Sequence, residues 1–228
     1  MDRKTWAYLE TEVYTIQEAG KDRTILKNIT YNFEPGKIYT ISGPSGSGKT
    51  TFLYAIAGLL DQVQGSVKIG GKEILQEKRQ VRDQIRLNQI GMIFQNLNLF
   101  DFMNVEDNIL IPYYLRKQKI PSAVHRQIAG YLEQLNLGQI QKKQISALSG
   151  GEQQRVAVIR AILANPQIIL CDEPTASLDS RNVQIFMEAL LTLQRESRST
   201  IVIVTHDRRV YEYGDCQIRI TDGALACD

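Results

Sequence analysis

The 228-residue sequence has few cysteines, and their arrangement excludes two classes of site. Cys171, Cys216 and Cys227 are odd in number and widely spaced, and none forms a CxxC pair. This pattern fits neither a disulfide framework nor a zinc site. We therefore predict free thiols in a reducing compartment.

Long apolar runs are also missing. The apolar runs, such as those at 168–171 and 201–204, are far below the roughly 20 residues that a bilayer-spanning helix needs. Residues 1–6 are polar and charged and lack the apolar stretch of a secretory signal. We therefore expect a chain that does not itself cross a membrane and that works in the cytosol.

A large excess of charge of one sign is absent as well. The formal net charge is +2, from 27 basic and 25 acidic residues, which by composition does not indicate a nucleic-acid partner. Hydrophobic residues make up 43% and charged residues 23%, so a disordered or collagen-like chain is excluded. A folded protein with a real core is expected.

The order of apolar patterns predicts an α/β fold. Strands are predicted at 8–16, 25–33, Ile38–Ser42, Gly65–Ile69 and 90–94, and the spacing over 49–60 predicts a helix. Residues 105–165 are mainly helical in pattern, and apolar strands at 168–171, 201–205 and 217–221 flank a helix at 183–193. Apolar strands that alternate with helices predict a mainly parallel sheet covered on both faces.

The same patterns predict one domain over residues 1–228. Its core comprises 1–94 and 166–228 and includes an N-terminal antiparallel β region. Residues 95–165 are predicted to be an inserted helical subdomain.

The segment GPSGSGKTT satisfies the pattern GxxxxGK[ST] and lies between a predicted strand and a predicted helix. Its glycines let backbone N–H groups turn toward phosphate oxygens, and the helix N-terminus adds positive potential. Lys49 can reach the outer phosphates and Thr50 can bind magnesium. The predicted phosphate-binding residues are Gly43, Pro44, Ser45, Gly46, Ser47, Gly48, Lys49, Thr50 and Thr51.

Two adjacent carboxylates, Asp172 and Glu173, end the apolar strand in ILCDEP. Adjacent residues at a strand end point in different directions, so Asp172 can face a metal ion while Glu173 faces an attacking water. The alternative is that both residues only start a turn before Pro174. Magnesium bound to phosphates needs further oxygen ligands, and this favours the first interpretation.

The segment LSGGEQQR opens a helix that Asn165-Pro166 should end. Ser149 and Glu152 have the spacing of a capping box, which explains part of the pattern. Gly150 and Gly151 are not explained by capping, because two glycines weaken a helix start but leave its N–H groups bare. A second anion site is therefore predicted here, for a nucleotide that another subunit holds.

Together these segments resemble the ATP-binding cassette ATPases, and the resemblance covers nearly the whole chain. It implies the P-loop NTPase fold with this helix as the signature motif. Four further residues match family positions: Gln95 in FQN contacts magnesium and senses the membrane partner, Asp179 in SLDS communicates across a dimer, and His206 in VTHD holds the γ-phosphate and the attacking water. Tyr14 matches the aromatic residue that stacks on adenine, with Tyr8 as a rival candidate.

The resemblance implies ATP and Mg²⁺ as ligands and ATP hydrolysis as the reaction. Its catalytic residues would be Glu173, His206, Lys49 and Gln95, and its metal ligands Thr50, Gln95 and Asp172. Ser149, Gly150 and Gly151 would act on the ATP of a second copy in a head-to-tail homodimer. An integral membrane permease is the implied partner, which would hold the chain on the cytoplasmic face of the cell membrane.

Within the family, IGMIFQNLNLF and VEDNILIPYYL most resemble the ATPases of lipoprotein release, macrolide export and antimicrobial-peptide export. The chain departs from that pattern with EDN in place of ENV and with AVIRAI in place of AIARAL. An alternative function is regulation of a membrane complex that moves no cargo, such as a cell-wall or cell-division signalling assembly. A nucleic-acid or ribosome factor is disfavoured, because such proteins usually carry two cassettes or large inserts.

Overall fold

The structure is a computed structural model that describes residues 7–18, 21–61, 63–176 and 178–226, with the side chains of the first 23 residues outside the description. In chain order its strands are β1 (Ala7–Glu18), β2 (Lys21–Phe33), β3 (Ile38–Ser42), β4 (Gly65–Ile69), β5 (Lys72–Glu73), β6 (Ile90–Ile93), β7 (Ile168–Asp172), β8 (Thr200–Val204), β9 (Cys216–Thr221) and β10 (Ala224–Leu225). Its α-helices are α1 (Lys49–Ile56), α2 (Arg79–Gln89), α3 (Val105–Leu115), α4 (Ser122–Gln134), α5 (Gly150–Leu163), α6 (Ser180–Ser197) and α7 (Arg208–Tyr211).

Two sheets organise these elements. A four-stranded antiparallel sheet has the order β2-β1-β4-β5, and a six-stranded sheet has the order β10-β9-β3-β8-β7-β6. In the larger sheet only the short β10 is antiparallel to its neighbour. The predicted fold class, a mainly parallel sheet with an N-terminal antiparallel region, is confirmed.

The parallel register brings the carboxyl ends of the central strands to one edge of the sheet. Ile41 on β3 and Asp172 on β7 both pair with Val204 on β8, and Ile93 on β6 pairs with Cys171. The segments that follow β3, β6, β7 and β8 therefore start side by side. These are the segments that contain the sequence motifs.

Both faces of the parallel sheet are buried, which explains the continuous apolar runs of its strands. Ile168 and Leu170 on β7 belong to a hydrophobic cluster with α1 and the antiparallel sheet. Ile169 and Cys171 on the same strand belong to a second cluster with α3, α4, α5 and α6. Burial also raises the pKa of the Cys171 thiol, which keeps it protonated.

The helical region between β6 and β7 is present as predicted, with α3 and α4 packed on α5. The second hydrophobic cluster runs without interruption from this region to the parallel sheet. The boundaries of the subdomain at residues 95 and 165 stay a prediction.

Two details differ from the prediction. Helix α1 ends at Ile56 rather than continuing to Leu60, because Gly58 has φ +61° and Leu59 turns outward with 40% exposure. Helix α2 was not predicted, since Ile85 is its buried residue and the rest of its sequence is mostly charged or polar. Val81 and Ile85 do lie one helical turn apart, but two apolar positions among charged and polar residues did not lead to a helix prediction.

Among the described residues, no helix combines the length and the apolar character that a membrane span requires.

Candidate active site

The glycine-rich loop joins β3 to α1, as the sequence predicts. Gly48 caps α1 with φ +98°, and a Cβ there would lie 2.9 Å from the carbonyl oxygen of Ile25. Gly43 has φ +152°, and a Cβ there would lie 2.0 Å from the carbonyl oxygen of Ile220. Only glycine fits these two positions, because it tolerates a positive φ and has no Cβ. The two glycines therefore allow the loop to bend tightly around the N-terminus of α1.

Lys49 is folded back into this loop. Its side chain is mostly buried, with 9% exposure, and its Nζ donates to the carbonyl oxygens of Gly43 at 3.0 Å and Pro44 at 2.8 Å. The Ser47 hydroxyl is buried without a hydrogen-bond partner in the described part of the chain. A cavity of about 210 Å³ opens beside the loop and is lined by Ile25, Gly46, Gly48, Lys49, Thr50 and Thr51. These features fit an anionic ligand that accepts from the loop.

Thr50 and Asp172 meet next to the loop. The Thr50 hydroxyl donates to Asp172 Oδ1 at 2.9 Å, although 122 residues separate the two in sequence. A hydroxyl and a carboxylate are hard oxygen groups of the kind that Mg²⁺ prefers, and Mg²⁺ takes its remaining ligands from water and substrate phosphates. The residues present therefore fit a magnesium ion.

Tyr54 also reaches Asp172, a contact that the motifs did not predict. Burial raises the pKa of the Tyr54 hydroxyl, and the charge of Asp172 and a hydrogen bond with it raise the pKa further. Tyr54 lies one helical turn after Thr50. The i, i+4 spacing on α1 was therefore the sequence signal that could have placed Tyr54 on the same helix face as Thr50.

Glu173 points away from Asp172, toward His206. Its backbone has φ +46°, and its Oε2 lies 2.9 Å from His206 Nδ1 and accepts from the His206 backbone N–H at 3.3 Å. The His206 side chain is 67% exposed. The two adjacent carboxylates thus face different partners, as predicted, and Glu173 has the backbone strain that active-site residues often carry.

Gln95 is exposed in the turn that follows β6. Leu97 and Asn98, two and three residues after Gln95, have positive φ, and their carbonyl oxygens accept from the guanidinium of Arg160 on α5. Burial lowers the pKa of Arg160 to about 10. This arginine fixes the Gln95 turn against α5, a role that sequence patterns do not indicate.

Ser149 caps α5 in the predicted capping box. Its Oγ accepts from the Glu152 N–H at 3.4 Å, and Glu152 Oε2 accepts from the Ser149 N–H at 2.8 Å. Gly150 is exposed, and a Cβ added there would have no described atom outside its own helix within 4 Å. A Cβ added on Gly151 would lie 3.1 Å from Asn182 Oδ1. The start of α5 is therefore open to an external group.

Asp179 caps α6 close to the start of α5. Its carboxylate accepts from the Asn182 N–H at 2.8 Å and from Asn182 Nδ2 at 3.1 Å. Gln154 of α5 is buried and donates to the carbonyl oxygen of Pro174 at 3.3 Å, which connects the signature helix to the chain after Glu173. Neither Asn182 nor Gln154 was predicted as a site residue.

The structure thus brings the candidates together in two groups. Lys49, Thr50, Asp172, Glu173 and His206 lie at the carboxyl edge of the parallel sheet, and Gln95 follows a strand at the same edge. Ser149, Gly150, Gly151 and Asp179 form the second group near Asn182, and none of their described hydrogen bonds reaches the loop of residues 43–51.

Tyr14 falls in the part of β1 whose side chains lie outside the description. The register pairs its backbone with that of Leu26, whose side chain approaches Gly48. The rival Tyr8 pairs with Asn32 and Lys68.

The chain is similar in sequence to known proteins. A family model described as ABC transporter matches residues 26–176. The bacitracin export ATP-binding protein BceA of Halalkalibacterium halodurans is 37% identical over 88% of this chain and 79% of the relative. The lipoprotein-releasing system ATP-binding protein LolD of Leptospira interrogans is 36% identical over 88% of this chain and 84% of the relative.

The chain is also similar in fold to a solved structure. The dimeric ATP-binding cassette MJ0796 in a post-hydrolysis state, bound to ADP and Pi, is 32% identical, with a TM-score of 0.86 over 97% of both chains. From the family model, the relatives and the shared fold, we conclude that the chain belongs to the ABC transporter family, as its ATP-binding ATPase domain.

Proposed function

We propose that this chain is the ATPase subunit of an ABC exporter, which closes as a homodimer around two MgATP and drives a separate membrane permease. The observation that carries the proposal is the convergence of Lys49, Thr50, Asp172, Glu173 and His206 at one edge of the sheet. Phosphate-binding, metal-binding and water-activating groups are all needed for phosphoryl transfer to water.

The loop of residues 43–51 binds the phosphates. Its backbone N–H groups and the N-terminus of α1 contact the phosphate oxygens, and the Lys49 ammonium exchanges its loop carbonyls for the outer phosphates. Lys49 then neutralises the charge that builds up on the transferred group.

Thr50, Gln95 and Asp172 would hold Mg²⁺. When bound, the ion supplies charge neutralisation of the β- and γ-phosphates. Asp172 orients the Thr50 hydroxyl through their hydrogen bond, and Tyr54 holds the same carboxylate from the next helical turn.

Glu173 orients the attacking water and accepts its proton on a carboxylate oxygen. His206 donates from its ring to the γ-phosphate and keeps the water and Glu173 aligned. The Glu173 carboxylate and the His206 ring are in contact at 2.9 Å, so both can reach the same water, as a general base and its positioning partner require.

The second group of residues acts on the ATP of the other subunit. Gly150 and Gly151 present their backbone N–H groups at the start of α5 to the outside, beside the exposed Ser149, and this is the kind of site that binds phosphate. Asp179 lies beside them and contacts the partner subunit. The dimeric structure of MJ0796 supports this arrangement.

Tyr14 stacks on adenine. Its backbone pairs with Leu26, which adjoins the loop at Gly48, and this favours Tyr14 over Tyr8. Six residues of strand separate the two tyrosines, which corresponds to about 20 Å.

The cargo is a peptide, a lipoprotein or a drug. BceA and LolD, which carry bacitracin export and lipoprotein release in their names, support this class. Binding to the permease holds the chain on the cytoplasmic face of the cell membrane. We expect no nucleic-acid partner, given the net charge of +2.

The test is ATP hydrolysis by the purified chain and by Lys49→Ala, with the exposed Lys119→Ala as the matched control. Loss of a hydrogen bond to a charged group costs about 1.5–3 kcal/mol, so Lys49→Ala should lower turnover or ATP affinity by about 10- to 100-fold. Lys119→Ala should match the wild type. A folded Lys49→Ala protein with normal ATP binding and turnover would contradict the phosphate-loop assignment.

A further inference from the structure

The Arg209 guanidinium joins two segments of the active site that lie far apart in sequence. Its Nε donates to both Asp207 carboxylate oxygens at 2.9 and 3.0 Å, and its Nη2 donates to Asp207 Oδ2 at 2.6 Å. On its other side, Nη1 donates to the Ser180 hydroxyl at 2.6 Å. Arg209 follows His206 by three residues, and Ser180 follows Asp179 directly.

These two segments are also joined at their other end. Glu173 Oε2 contacts His206 through both the ring and the backbone N–H. The segment from Glu173 to Ser180 and the segment from His206 to Arg209 are therefore connected at both ends by side-chain contacts. These contacts connect His206 to the start of α6, where Asp179 is the N-cap.

The Asp207 carboxylate holds the guanidinium in a fixed orientation. Hydrogen bonds from Arg209 lower the pKa of Asp207, against the opposing effect of partial burial, so the carboxylate stays ionised at neutral pH. Its own orientation is fixed because it also accepts from the Arg209 backbone N–H at 2.9 Å. A planar guanidinium held from one side in this way presents its remaining N–H group to Ser180 in a fixed direction, whereas an ammonium group has no such fixed fork of donors.

This contact contributes little to folding. The Arg209 side chain is 46% exposed, and exposed ion pairs add little to stability. Loss of Arg209 should therefore leave the fold intact, which separates an effect on the reaction from an effect on structure.

We propose that Arg209 is a positioning residue, which ties the γ-phosphate contact of His206 to the subunit contact of Asp179 so that the two change together. The proposal rests on the proposed function of those two residues and adds a residue outside the sequence motifs. Hydrolysis at Glu173 and separation of the subunits would thereby be coupled within one chain.

The test measures kcat and KM for ATP on the purified full chain and its variants. Arg209→Ala should lower kcat by about tenfold, equivalent to about 1.4 kcal/mol, with KM changed less than about threefold, because the loop of residues 43–51 is untouched. Ser180→Ala should lower kcat in the same direction, whereas Ser180→Thr keeps the hydroxyl and should stay near the wild type. The double variant Arg209→Ala/Ser180→Ala should match Arg209→Ala, because both remove the same contact.

Arg208→Ala is the matched control, since Arg208 is exposed on the same helix and its side chain has no hydrogen bond or ion pair among the described residues. It should have the wild-type kcat. Three results would each overturn the proposal. The first is a wild-type kcat in Arg209→Ala, and the second is the same kcat in Ser180→Ala and Ser180→Thr. The third is a double variant in which the two single losses of kcat multiply. If Lys49→Ala also retained activity, the proposed function itself would fail; if only Arg209→Ala did, the coupling alone would fail.

Discussion

Glu106 is a buried carboxylate that holds the segment leading to the signature helix. Its side chain is 6% exposed, and it accepts from His125 Nδ1 at 2.6 Å and from the Lys142 ammonium. Its backbone N–H donates to the Gln141 carbonyl oxygen at 3.0 Å. The chain from Gln141 runs directly to Ser149, so we predict that Glu106→Gln weakens both the fold and the placement of α5.

The magnitude follows from the charge that this substitution removes. A hydrogen bond to a charged group contributes about 1.5–3 kcal/mol, and the exposure of both partners, 46% for His125 and 78% for Lys142, places the value toward the lower end. We expect Glu106→Gln to lower the free energy of unfolding by about 2 kcal/mol. For a chain of this length that corresponds to a decrease in Tm of about 4–8 °C.

The loss should depend on pH with a definite sign. Burial raises the pKa of the Glu106 carboxyl, but hydrogen bonds from Lys142, His125 and Gln141 outweigh it and lower the pKa below its ordinary value. A depressed folded-state pKa stabilises the fold above the unfolded value of about 4.3, and the stabilisation is lost as the pH falls through the folded-state pKa. The difference in the free energy of unfolding between the wild type and Glu106→Gln should therefore be largest at pH 7 and should decrease toward zero as the pH falls.

Urea denaturation between pH 3 and 7 checks this prediction. Glu77→Gln is the control, because Glu77 is exposed and its side chain has no hydrogen bond or ion pair among the described residues. A Glu106→Gln protein as stable as Glu77→Gln at pH 7 would refute the reasoning. So would a stability difference that is the same at both ends of the pH range.

Two further predictions concern the nucleotide. Tyr14→Ala should weaken ATP binding by about tenfold and Tyr14→Trp should preserve it, because either aromatic ring can stack on a base; equal affinities in calorimetry would make Tyr14 a sheet residue only. Thr50→Val removes the hydroxyl that contacts Asp172 but keeps the side-chain shape, so we expect hydrolysis to require at least tenfold more Mg²⁺. A Mg²⁺ titration with an unchanged midpoint would count against the metal assignment.

The sequence predicts the parts of the site that lie within short motifs. The bend at Gly48, the capping box at Ser149 and the opposite directions of Asp172 and Glu173 follow from local backbone rules, and the structure shows each of them. The parallel order of strands then places these motifs at one sheet edge. Local backbone rules and the alternation of strands with helices were therefore sufficient to predict the conformation of these motifs and their position at one edge of the sheet.

The residues that connect the motifs could not be predicted in the same way. Arg160 reaches the Gln95 turn across 62 residues, Gln154 reaches Pro174 across 20, and Arg209 reaches Ser180 across 29. Each contact depends on how separate elements pack, and a single sequence has no periodic signal for it. Helix α2 was missed because its apolar face consists of few residues, Val81 and Ile85 one turn apart, within a mostly charged and polar sequence.

The central claim is that ATP is bound between two copies of this chain, and the oligomeric state of Glu173→Gln tests it most directly. This variant keeps the residues that bind phosphate but lacks the carboxylate that accepts a proton from water, so ATP should bind and persist. Light scattering at about 50 µM protein should show a monomer without nucleotide and a dimer with ATP. Adding Ser149→Arg should block the dimer while ATP still binds, because the new side chain obstructs only the exposed start of α5. A Glu173→Gln protein that binds ATP and remains monomeric, or a dimer that forms equally well with Ser149→Arg, would contradict the claim.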